Sequence, residues 1–284
     1  MTLTAKDMFM ARPFLDILIY GDSGTGKTKW ASLAPRPYVG LTEPQGLATV
    51  AQHAPEATVE MIDEFGQWLS LIDDLKKGAP CKLDNGQPAY KFDRNGTTHT
   101  IQTLVADGLT DLHNKAKSFF VNQAGDSDWM KIQESFRQML HDLRSLPLNV
   151  IATCLSTEVV DERNYRKVLP ILYGQLQGLA SQWFAATGYS RTIRLPDGTI
   201  GYQILFRGDN TYITKPAPGM PLSIIHTNEP GNISLGSMLL YNYGDSGEVP
   251  HMEHDSKDFV NKVKEEETET TKTETTKTTR RRRR

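Results

Sequence analysis

Eight residues near the amino terminus constrain the fold of this chain more than any other feature of its sequence. The pattern G-x-x-x-x-G-K-T occupies residues 21–28. An apolar run, Phe14–Tyr20, precedes it, and a stretch compatible with a helix, Thr28–Leu33, follows it. A strand, a glycine turn and a helix in this order form a phosphate-binding loop, whose backbone N–H groups point at the phosphates. The sequence therefore predicts a site for a nucleoside triphosphate.

The residues of this loop have separate expected tasks. Lys27 would reach the β- and γ-phosphates, and the hydroxyl of Thr28 would hold Mg²⁺. We therefore expect ATP and Mg²⁺ as ligands. The other expected contacts to the nucleotide come from Gly21, Asp22, Ser23, Gly24, Thr25 and Gly26.

The composition argues against several other classes of protein. The 284 residues suffice for one large α/β domain, or for a core with a small appendage. The two cysteines, Cys81 and Cys154, lie far apart without metal-ligand spacing, which indicates a reducing compartment and no disulfide framework. No apolar run approaches the length of a membrane span, and residues 1–14 lack the apolar segment of a signal peptide. We expect a cytoplasmic protein with no membrane partner.

Apolar runs and amphipathic stretches alternate along the first half of the chain. This alternation favours an α/β fold with a mainly parallel sheet flanked by helices. The strands are expected at 36–41, 101–106 and 149–153, and the helices at 65–75, 109–120 and from 128 onward. Residues 78–98 contain the turn pairs Asn85-Gly86 and Asn95-Gly96, which predict an insertion loop or hairpin.

The pattern changes after the fourth strand. Ala186–Arg194 and Gly201–Arg207 flank the turn Pro196-Asp197-Gly198, which predicts a hairpin. Further short strands are expected at Tyr212-Ile213 and Leu222–Ile225. We therefore expect an antiparallel carboxy-terminal extension of the sheet, and a single domain over residues 1–246.

Residues 247–284 form a polar tail with a charge pattern of its own. Glu265–Thr279 consists of Glu, Thr and Lys, and the five arginines Arg280–Arg284 follow. Such a segment cannot bury enough apolar surface to fold, so disorder is expected. The arginines could bind polyanions or could only aid solubility. Since eight of the 32 basic residues lie from Lys264 onward, the rest of the chain is mildly acidic, and any nucleic acid must contact local basic loops or the tail.

A second acid is needed to position Mg²⁺. Leu104, Val105 and Ala106 are followed by Asp107, and three apolar residues before an aspartate are typical of this acid. We expect Asp107 to hold the hydration shell of Mg²⁺ from a strand next to the strand of the phosphate loop. The alternative is that Asp107 only caps the helix that follows.

Hydrolysis also requires a carboxylate that activates water. Glu43 follows the strand at 36–41, where a carboxylate can face the γ-phosphate, and is our candidate for the general base. Asp111 and Glu64 are the alternatives, and Glu43 could also be an ordinary surface residue. Thr153 ends the strand at 149–153 and is the candidate sensor of the γ-phosphate.

Taken in order, these motifs resemble a known family. GDSGTGKT, Glu43, TLVADGLTDL and NVIATC resemble the core of RecA-type ATPases. The stretches 128–154, 172–192 and 210–217 resemble a narrower group, the phage-encoded RecA-like nucleotide-binding proteins linked to single-strand annealing and recombination. The resemblance spans residues 14–225. It implies a RecA-like P-loop NTPase fold and ATP hydrolysis, in the host cytoplasm if the protein is phage-encoded.

The resemblance also implies partners and further site residues. Such proteins assemble on single-stranded DNA as a ring or filament of identical protomers, with ATP between neighbours, and a single-stranded-DNA-binding protein is a further candidate partner. The DNA-facing loop would span 156–169, where basic residues and an aromatic could neutralise phosphates and stack a base. The residues in that loop are Arg163, Tyr165, Arg166 and Lys167. An ordinary solvated loop is the alternative.

Lys215 resembles the position from which relatives direct a basic residue toward the neighbour's γ-phosphate. Relatives commonly have a Lys-x-Arg pair there, whereas this chain has Lys215-Pro216-Ala217. The missing arginine predicts slow turnover, because such a residue stabilises charge in the transition state.

Two other functions stay open at this point. The first is a different motor, namely a helicase, a helicase loader or a packaging ATPase, for which Arg191, Arg194 or Arg207 could act on a neighbouring protomer. The second is a DNA-binding protein that uses ATP as a switch with negligible hydrolysis, which the missing arginine favours.

Overall fold

Strands and helices alternate through most of the chain in the computed structural model, which describes residues 14–124, 129–160, 162, 164–172, 174–208, 211–217, 220 and 223–226. The strands are β1 Asp16–Gly21, β2 Pro37–Leu41, β3 Thr58–Met61, β4 Ala79–Lys82, β5 Pro88–Arg94, β6 Thr97–Ile101, β7 Thr103–Asp107, β8 Asn149–Val160, β9 Arg166–Pro170, β10 Ala186–Arg194, β11 Ile200–Leu205 and β12 Ser223–His226. The helices are α1 Lys27–Ser32, α2 Gln45–His53, α3 Phe65–Lys77, α4 Leu109–Ala124, α5 Trp129–Ser145 and α6 Gln175–Leu179, which a short 3₁₀ turn, Ala180–Gln182, follows.

The large sheet has the strand order β12-β11-β10-β1-β8-β7-β2-β3. All neighbours from β10 to β3 are parallel, and β11 and β12 continue the sheet in antiparallel pairing. The expected α/β fold, a mainly parallel RecA-like sheet with an antiparallel extension, is therefore confirmed. In such a sheet the carboxyl ends of the parallel strands meet at one edge, where ligands bind.

One expectation about neighbours within this sheet is wrong. The strand that ends in Asp107 is not next to the strand of the phosphate loop, because β8 lies between β7 and β1 and pairs with both. The strand that carries Thr153 thus separates the two. Local sequence patterns do not reveal strand order in a parallel sheet, since each crossover connection can pass over a neighbouring strand.

Helices cover both faces of the sheet. Successive side chains of β1 point to opposite faces and pack against different helices. Ile17 and Ile19 pack with Trp30 of α1 in one apolar cluster. Leu18 and Tyr20 belong to the other cluster, which α3, α4 and α5 complete. Both faces of β1 are therefore buried, which explains why this strand reads as a nearly continuous apolar run. In the described ranges, no helix has the length and apolar content that a membrane span requires.

The segment expected to be an insertion contributes to a separate antiparallel sheet of three strands, β4-β5-β6. The guanidinium of Arg94, at the end of β5, attaches this small sheet to the main body. Its Nη2 donates to Oε1 of Glu60 in β3 at 2.6 Å, and its Nη1 donates to Oδ2 of Asp74 in α3 at 2.8 Å. The Arg94 side chain is buried, and its hydrogen bond lowers the pKa of Asp74. Two carboxylate partners thus compensate the buried charge and fix the position of the small sheet.

The region after the fourth predicted strand differs from the sequence-based expectation. The expected loop at 156–169 contains two strands, because β8 continues to Val160 and β9, from Arg166, returns antiparallel to it, with Ser156 opposite Pro170. Tyr212 makes a single bridge to Val168 instead of forming a strand. Helices α2 and α6 and strands β3 and β9 were not predicted. The expected residues Arg163 and Leu222, and the tail at 247–284, lie outside the described residues.

Candidate active site

The phosphate loop connects the end of β1 to the start of α1. Gly26 has a φ of 83°, in the left-handed region where a side chain is strained, and a Cβ there would also lie 2.9 Å from the ring of Tyr202. A Cβ on Gly21 would lie 2.2 Å from the carbonyl oxygen of Ser190 in β10. Glycine is therefore required at position 26 by conformation and at position 21 by space.

The loop is held in shape by hydrogen bonds to its own backbone. Thr25 Oγ1 donates to the carbonyl of Asp22 at 2.8 Å, and Ser190 Oγ donates to the carbonyl of Thr25 at 2.8 Å. Lys27 Nζ donates to the carbonyls of Gly21 and Asp22 at 2.9 and 2.7 Å. Burial lowers the pKa of Lys27, an effect that nearby acids oppose. The ammonium thus lies at the loop with backbone acceptors that a phosphate oxygen can replace.

Two side chains from different elements donate to the carboxylate of Asp107. Thr28 Oγ1, in α1, donates to Oδ2 of Asp107 at 2.8 Å, and Thr153 Oγ1, in β8, donates to Oδ1 of the same carboxylate. Burial raises the pKa of Asp107, and the two hydroxyl donors oppose that effect. The strand order explains the contact, because β8 places Thr153 between the ends of β1 and β7.

Thr42 hydrogen-bonds to both polar groups of the peptide bond between Asp107 and Gly108, a role that no sequence motif indicates. Its N–H donates to the carbonyl of Asp107 at 2.8 Å, and its Oγ1 accepts the N–H of Gly108 at 3.0 Å. Glu43 is the next residue after Thr42, so this pair of hydrogen bonds also fixes where the candidate base leaves the sheet. Glu43 and Asp107 therefore lie at the same edge of the sheet.

A cleft of about 410 Å³ opens at this edge, a volume within the usual range of ligand sites. Gly21, Asp22 and Thr25 belong to the loop that forms one wall of this cleft. The other expected nucleotide-binding and catalytic residues, apart from Lys215, line it directly: Ser23, Gly24, Gly26, Lys27, Thr28, Glu43, Asp107 and Thr153.

The three candidate carboxylates for the general base differ in position. Glu43 and Asp111 line the cleft, whereas Glu64 caps α3 and does not line it. Asp111 forms an ion pair with Lys115 at 2.7 Å. The side chain of Glu43 is exposed and makes no hydrogen bond to another residue in the described part of the chain. Glu43 is thus the carboxylate that is available to a water molecule.

Several residues that line the cleft were not indicated by the sequence. Tyr202 comes from β11, Lys29 from α1, and Gln52 and His53 from α2. The hairpin that contains Tyr202 was predicted, but no local pattern places it beside the phosphate loop. The signal that could have found Lys29 is its position directly after the loop motif.

Lys215 lies outside the cleft. Its Nζ donates to the carbonyls of Phe184 at 2.7 Å and Ser181 at 3.3 Å, and its backbone pairs with that of Thr187 in β10. These partners belong to the same chain, so the ammonium would have to leave them in order to reach a nucleotide bound by a neighbouring protomer.

Three of the expected DNA-binding residues, Tyr165, Arg166 and Lys167, lie on the β8–β9 hairpin, and Arg163 lies outside the described residues. Tyr165 is 65% exposed, and Arg166 forms an ion pair with Glu158 across the hairpin at 2.7 Å. Lys167 lies in β9, directly after Arg166. At the base of the hairpin, Ser156 Oγ donates to Oδ1 of Asp22 in the phosphate loop. The hairpin is therefore hydrogen-bonded directly to the loop that would hold the nucleotide.

The residues at the cleft fit ATP and Mg²⁺. Lys27 offers a cation at the loop, and the Thr28 hydroxyl already contacts the Asp107 carboxylate. Across the described ranges, no three His, Cys, Asp or Glu side chains form a cluster that could hold a metal alone. A magnesium ion there would therefore depend on oxygen atoms of the bound phosphates, which is the usual arrangement for Mg²⁺ with nucleotides.

The chain is similar to known proteins at the level of a domain family. No curated protein matches the sequence. Among solved structures, the KaiC-like protein PH0186 from the hyperthermophilic archaeon Pyrococcus horikoshii OT3 is similar at a TM-score of 0.38 and 14% identity, over 69% of this chain and 79% of that one. Residues 14–217 match the model of the AAA domain family. The matched segment contains the phosphate loop, Glu43, Asp107 and Thr153, and the chain therefore belongs to the AAA domain family of P-loop ATPases.

Proposed function

We propose that this protein hydrolyses ATP with Mg²⁺ and uses its nucleotide state to control the binding of single-stranded DNA, in annealing or recombination. The observation that carries the ATPase part is the meeting of Lys27, Thr28, Asp107 and Glu43 at one cleft. The DNA part rests on the resemblance to phage-encoded RecA-like proteins and on the hydrogen bond between Ser156 and Asp22.

The residues at the cleft divide the chemistry of hydrolysis between them. Glu43 would accept a proton from water while the water oxygen bonds to the γ-phosphorus and the bond to the β–γ bridging oxygen breaks, which leaves ADP and inorganic phosphate. Lys27 would move from the loop carbonyls to the phosphates and balance their charge. Mg²⁺, bound by Thr28 with Asp107 behind it, would neutralise further negative charge on the phosphates.

Thr153 would connect this chemistry to the rest of the molecule. Its hydroxyl contacts Asp107, and its strand, β8, continues from that point into the hairpin. A change at the γ-phosphate can therefore reach the hairpin along β8, and a change in the loop can reach it through the contact between Asp22 and Ser156.

The hairpin would present its basic and aromatic side chains to DNA. Lys167 and Arg166 supply positive charge, and the exposed ring of Tyr165 can stack on a base. Arg166 is paired with Glu158, so its charge becomes available to a phosphate when that ion pair opens. Assembly of several protomers would line up such hairpins along one strand.

A second function is favoured by the position of Lys215. Because its ammonium is bound to carbonyls of its own chain and no arginine follows at position 217, charge stabilisation from a neighbour would be weak. The protein would then act as an ATP-dependent switch on DNA with negligible hydrolysis.

The ATPase rate, measured with and without single-stranded DNA, tests the proposal. We expect DNA to stimulate the wild type, and Glu43→Gln to lower kcat by roughly 100- to 10,000-fold, because a general base contributes about that much. The affinity for ATP should be unchanged, since the side chain is exposed and no hydrogen bond to the described residues is lost. Glu56→Gln, which also changes an exposed glutamate, is the matched control.

The outcomes separate the candidate functions. An unchanged rate in Glu43→Gln would remove this residue from the mechanism. Tight ATP binding with no measurable turnover, together with ATP-dependent DNA binding, would support the switch. Processive unwinding of duplex DNA would instead identify a helicase, and filaments or rings on single-stranded DNA in the electron microscope would support recombination.

A further inference from the structure

The cleft has two ends, and α2 runs from one to the other. Gly46, in its first turn, lies at the acidic end, since an added Cβ would be 3.3 Å from Oδ2 of Asp107. Gln52 and His53 line the same cleft two turns later. At a rise of 1.5 Å per residue, His53 lies about 10 Å beyond Gly46 along the helix. We call the region around Gln52 and His53 the far end of the cleft.

Tyr202 reaches the phosphate loop from the antiparallel extension. In the sheet, Gly21 is level with Ser190, and Ser190 is level with Ile204. Tyr202 lies two residues before Ile204 in β11, opposite Thr192, which follows Ser190 in the antiparallel β10. It is therefore on the same face as Ile204, which packs in the cluster that contains Trp30 of α1. The register thus places the tyrosine beyond the carboxyl end of β1, on the side of the sheet where α1 lies.

The ring of Tyr202 is in contact with the loop and with α1. It packs so closely on Gly26 that a Cβ there would be 2.9 Å from a ring carbon. Lys29 Nζ lies 5.6 Å from the ring centroid. Tyr202 is only half-buried, so part of its ring faces the cleft.

Lys29 and His53 show that α1 and α2 approach each other at the far end. The pKa of His53 is lowered by burial and by the charge of Lys29. The far end therefore contains an aromatic ring, an ammonium, an imidazole and, on Gln52, a side-chain amide. None of these groups is needed to hold phosphates, since Lys27 and the loop backbone already supply those contacts and Thr28 lies at the acidic end, where it donates to Asp107.

We propose that the far end is the nucleobase subsite, in which Tyr202 forms the aromatic wall and Gln52 reads the edge of the base. This inference rests on the proposed function, because it assumes that a nucleoside triphosphate occupies the cleft. The flat face of a base stacks on an aromatic ring. A glutamine amide offers one donor and one acceptor, which match N7 and the amino group of adenine, whereas guanine presents two acceptors at the same edge. The subsite therefore selects adenine.

The first test compares ATP with inorganic tripolyphosphate, which has no base. Calorimetric titrations with both ligands and Mg²⁺ would use the wild type, Tyr202→Leu and Tyr202→Phe. We expect Tyr202→Leu to weaken ATP binding by roughly 5- to 100-fold, the range of base stacking on an aromatic side chain, and to leave tripolyphosphate binding unchanged. Tyr202→Phe keeps the ring and should keep both affinities.

The results distinguish a base wall from a support for the loop. If Tyr202→Leu weakens both ligands equally, Tyr202 only supports Gly26 and the inference is overturned, while the proposed ATPase stands. If the wild type binds neither ligand, the proposed function and the inference both fail.

The second test concerns Gln52. We expect the wild type to prefer ATP over GTP, and Gln52→Leu to reduce that preference by about tenfold, the scale of one bidentate contact to a base edge. Gln138→Leu, on the exposed face of α5, is the matched control. An unchanged ratio of the two affinities in Gln52→Leu would overturn the role of Gln52.

Discussion

The carboxylate of Asp107, which is half-buried at the cleft, leads to a prediction with two opposite readouts. Asp107→Asn keeps the shape of the side chain and removes its charge. Since the proposed Mg²⁺ site depends on that charge, we expect magnesium affinity and ATPase rate to fall by roughly 10- to 100-fold, as for other groups that support a metal through its immediate ligands. In the absence of nucleotide, however, we expect the same substitution to stabilise the fold.

The magnitude follows from the surroundings of the carboxylate. It accepts hydrogen bonds from Thr28 and Thr153. In the variant one hydroxyl would still donate to the amide oxygen, and the other would turn and accept from the amide NH2 group. A hydrogen bond to a charged acceptor contributes about 1.5–3 kcal/mol and a neutral one about 0.5–1.5 kcal/mol, so replacing the two charged bonds by neutral ones loses about 2 kcal/mol. Removal of the charge from water is the largest influence on the pKa of Asp107, which it raises, and it costs several kcal/mol, a cost that the charge of Lys27 offsets in part. The net gain in the free energy of unfolding is about 1–3 kcal/mol.

Thermal unfolding without nucleotide or Mg²⁺ measures this gain. A gain of about 1 kcal/mol corresponds to about 2–4 °C in Tm for a domain of this size, so Asp107→Asn should unfold several degrees above the wild type. Asp73→Asn, which changes an exposed aspartate of α3, should leave Tm unchanged. A lower Tm for Asp107→Asn, with the control unchanged, would refute the reasoning, because the two hydroxyls would then stabilise the charge by more than its burial costs.

Two further predictions concern stability. Gly21→Ala places a Cβ 2.2 Å from the Ser190 carbonyl oxygen, so β1 and β10 must separate by about 0.8 Å to reach a contact of about 3.0 Å. We expect this separation to lower the free energy of unfolding, measured by chemical denaturation, by about 1–3 kcal/mol. Gly178→Ala, with no neighbour within 4 Å of its Cβ, is the control and should not destabilise the protein. Burial lowers the pKa of His113, which stacks on Phe136 at 4.4 Å between ring centroids, to about 4. The fold favours the neutral form of His113. The contribution of this residue to the free energy of unfolding is therefore complete above its ordinary pKa of 6.5, and it is lost as the pH falls from 6.5 through 4. Between about pH 7 and pH 5 the wild type should therefore lose about 2 kcal/mol that His113→Phe does not lose, and equal losses in denaturation of the two proteins would contradict this assignment.

The fold class and most of its elements could be predicted because they depend on local patterns. The apolar run before the loop, the alternation of strand and helix, and the turn Pro196-Asp197-Gly198 each act over a few residues. The same patterns could not predict that β8 continues to Val160 and pairs with β9, because the exposed residues of that hairpin show no apolar alternation. They also could not give the strand order, which places β8 between the loop strand and Asp107.

The candidate site was predictable in part for the same reason. Lys27 and Thr28 are defined by their place in a motif, and Asp107 and Glu43 by their places at strand ends. The contacts of Tyr202 and Ser156 depend on neighbours that lie far away in the sequence, so no motif marks them. Tyr202 meets Gly26, and Ser156 meets Asp22, only after the sheet has formed.

The sequence by itself determined that this chain has a phosphate-binding loop, a RecA-like α/β sheet and an aspartate at a strand end, which we propose supports Mg²⁺, because glycine conformation, apolar periodicity and strand ends are local properties. The tertiary structure decided which carboxylate is available to water, that Lys215 is bound to its own chain, and which residues form the far end of the cleft. Those features depend on distances between β2, β8, β10 and β11, and strand pairing sets such distances only when the whole sheet is assembled.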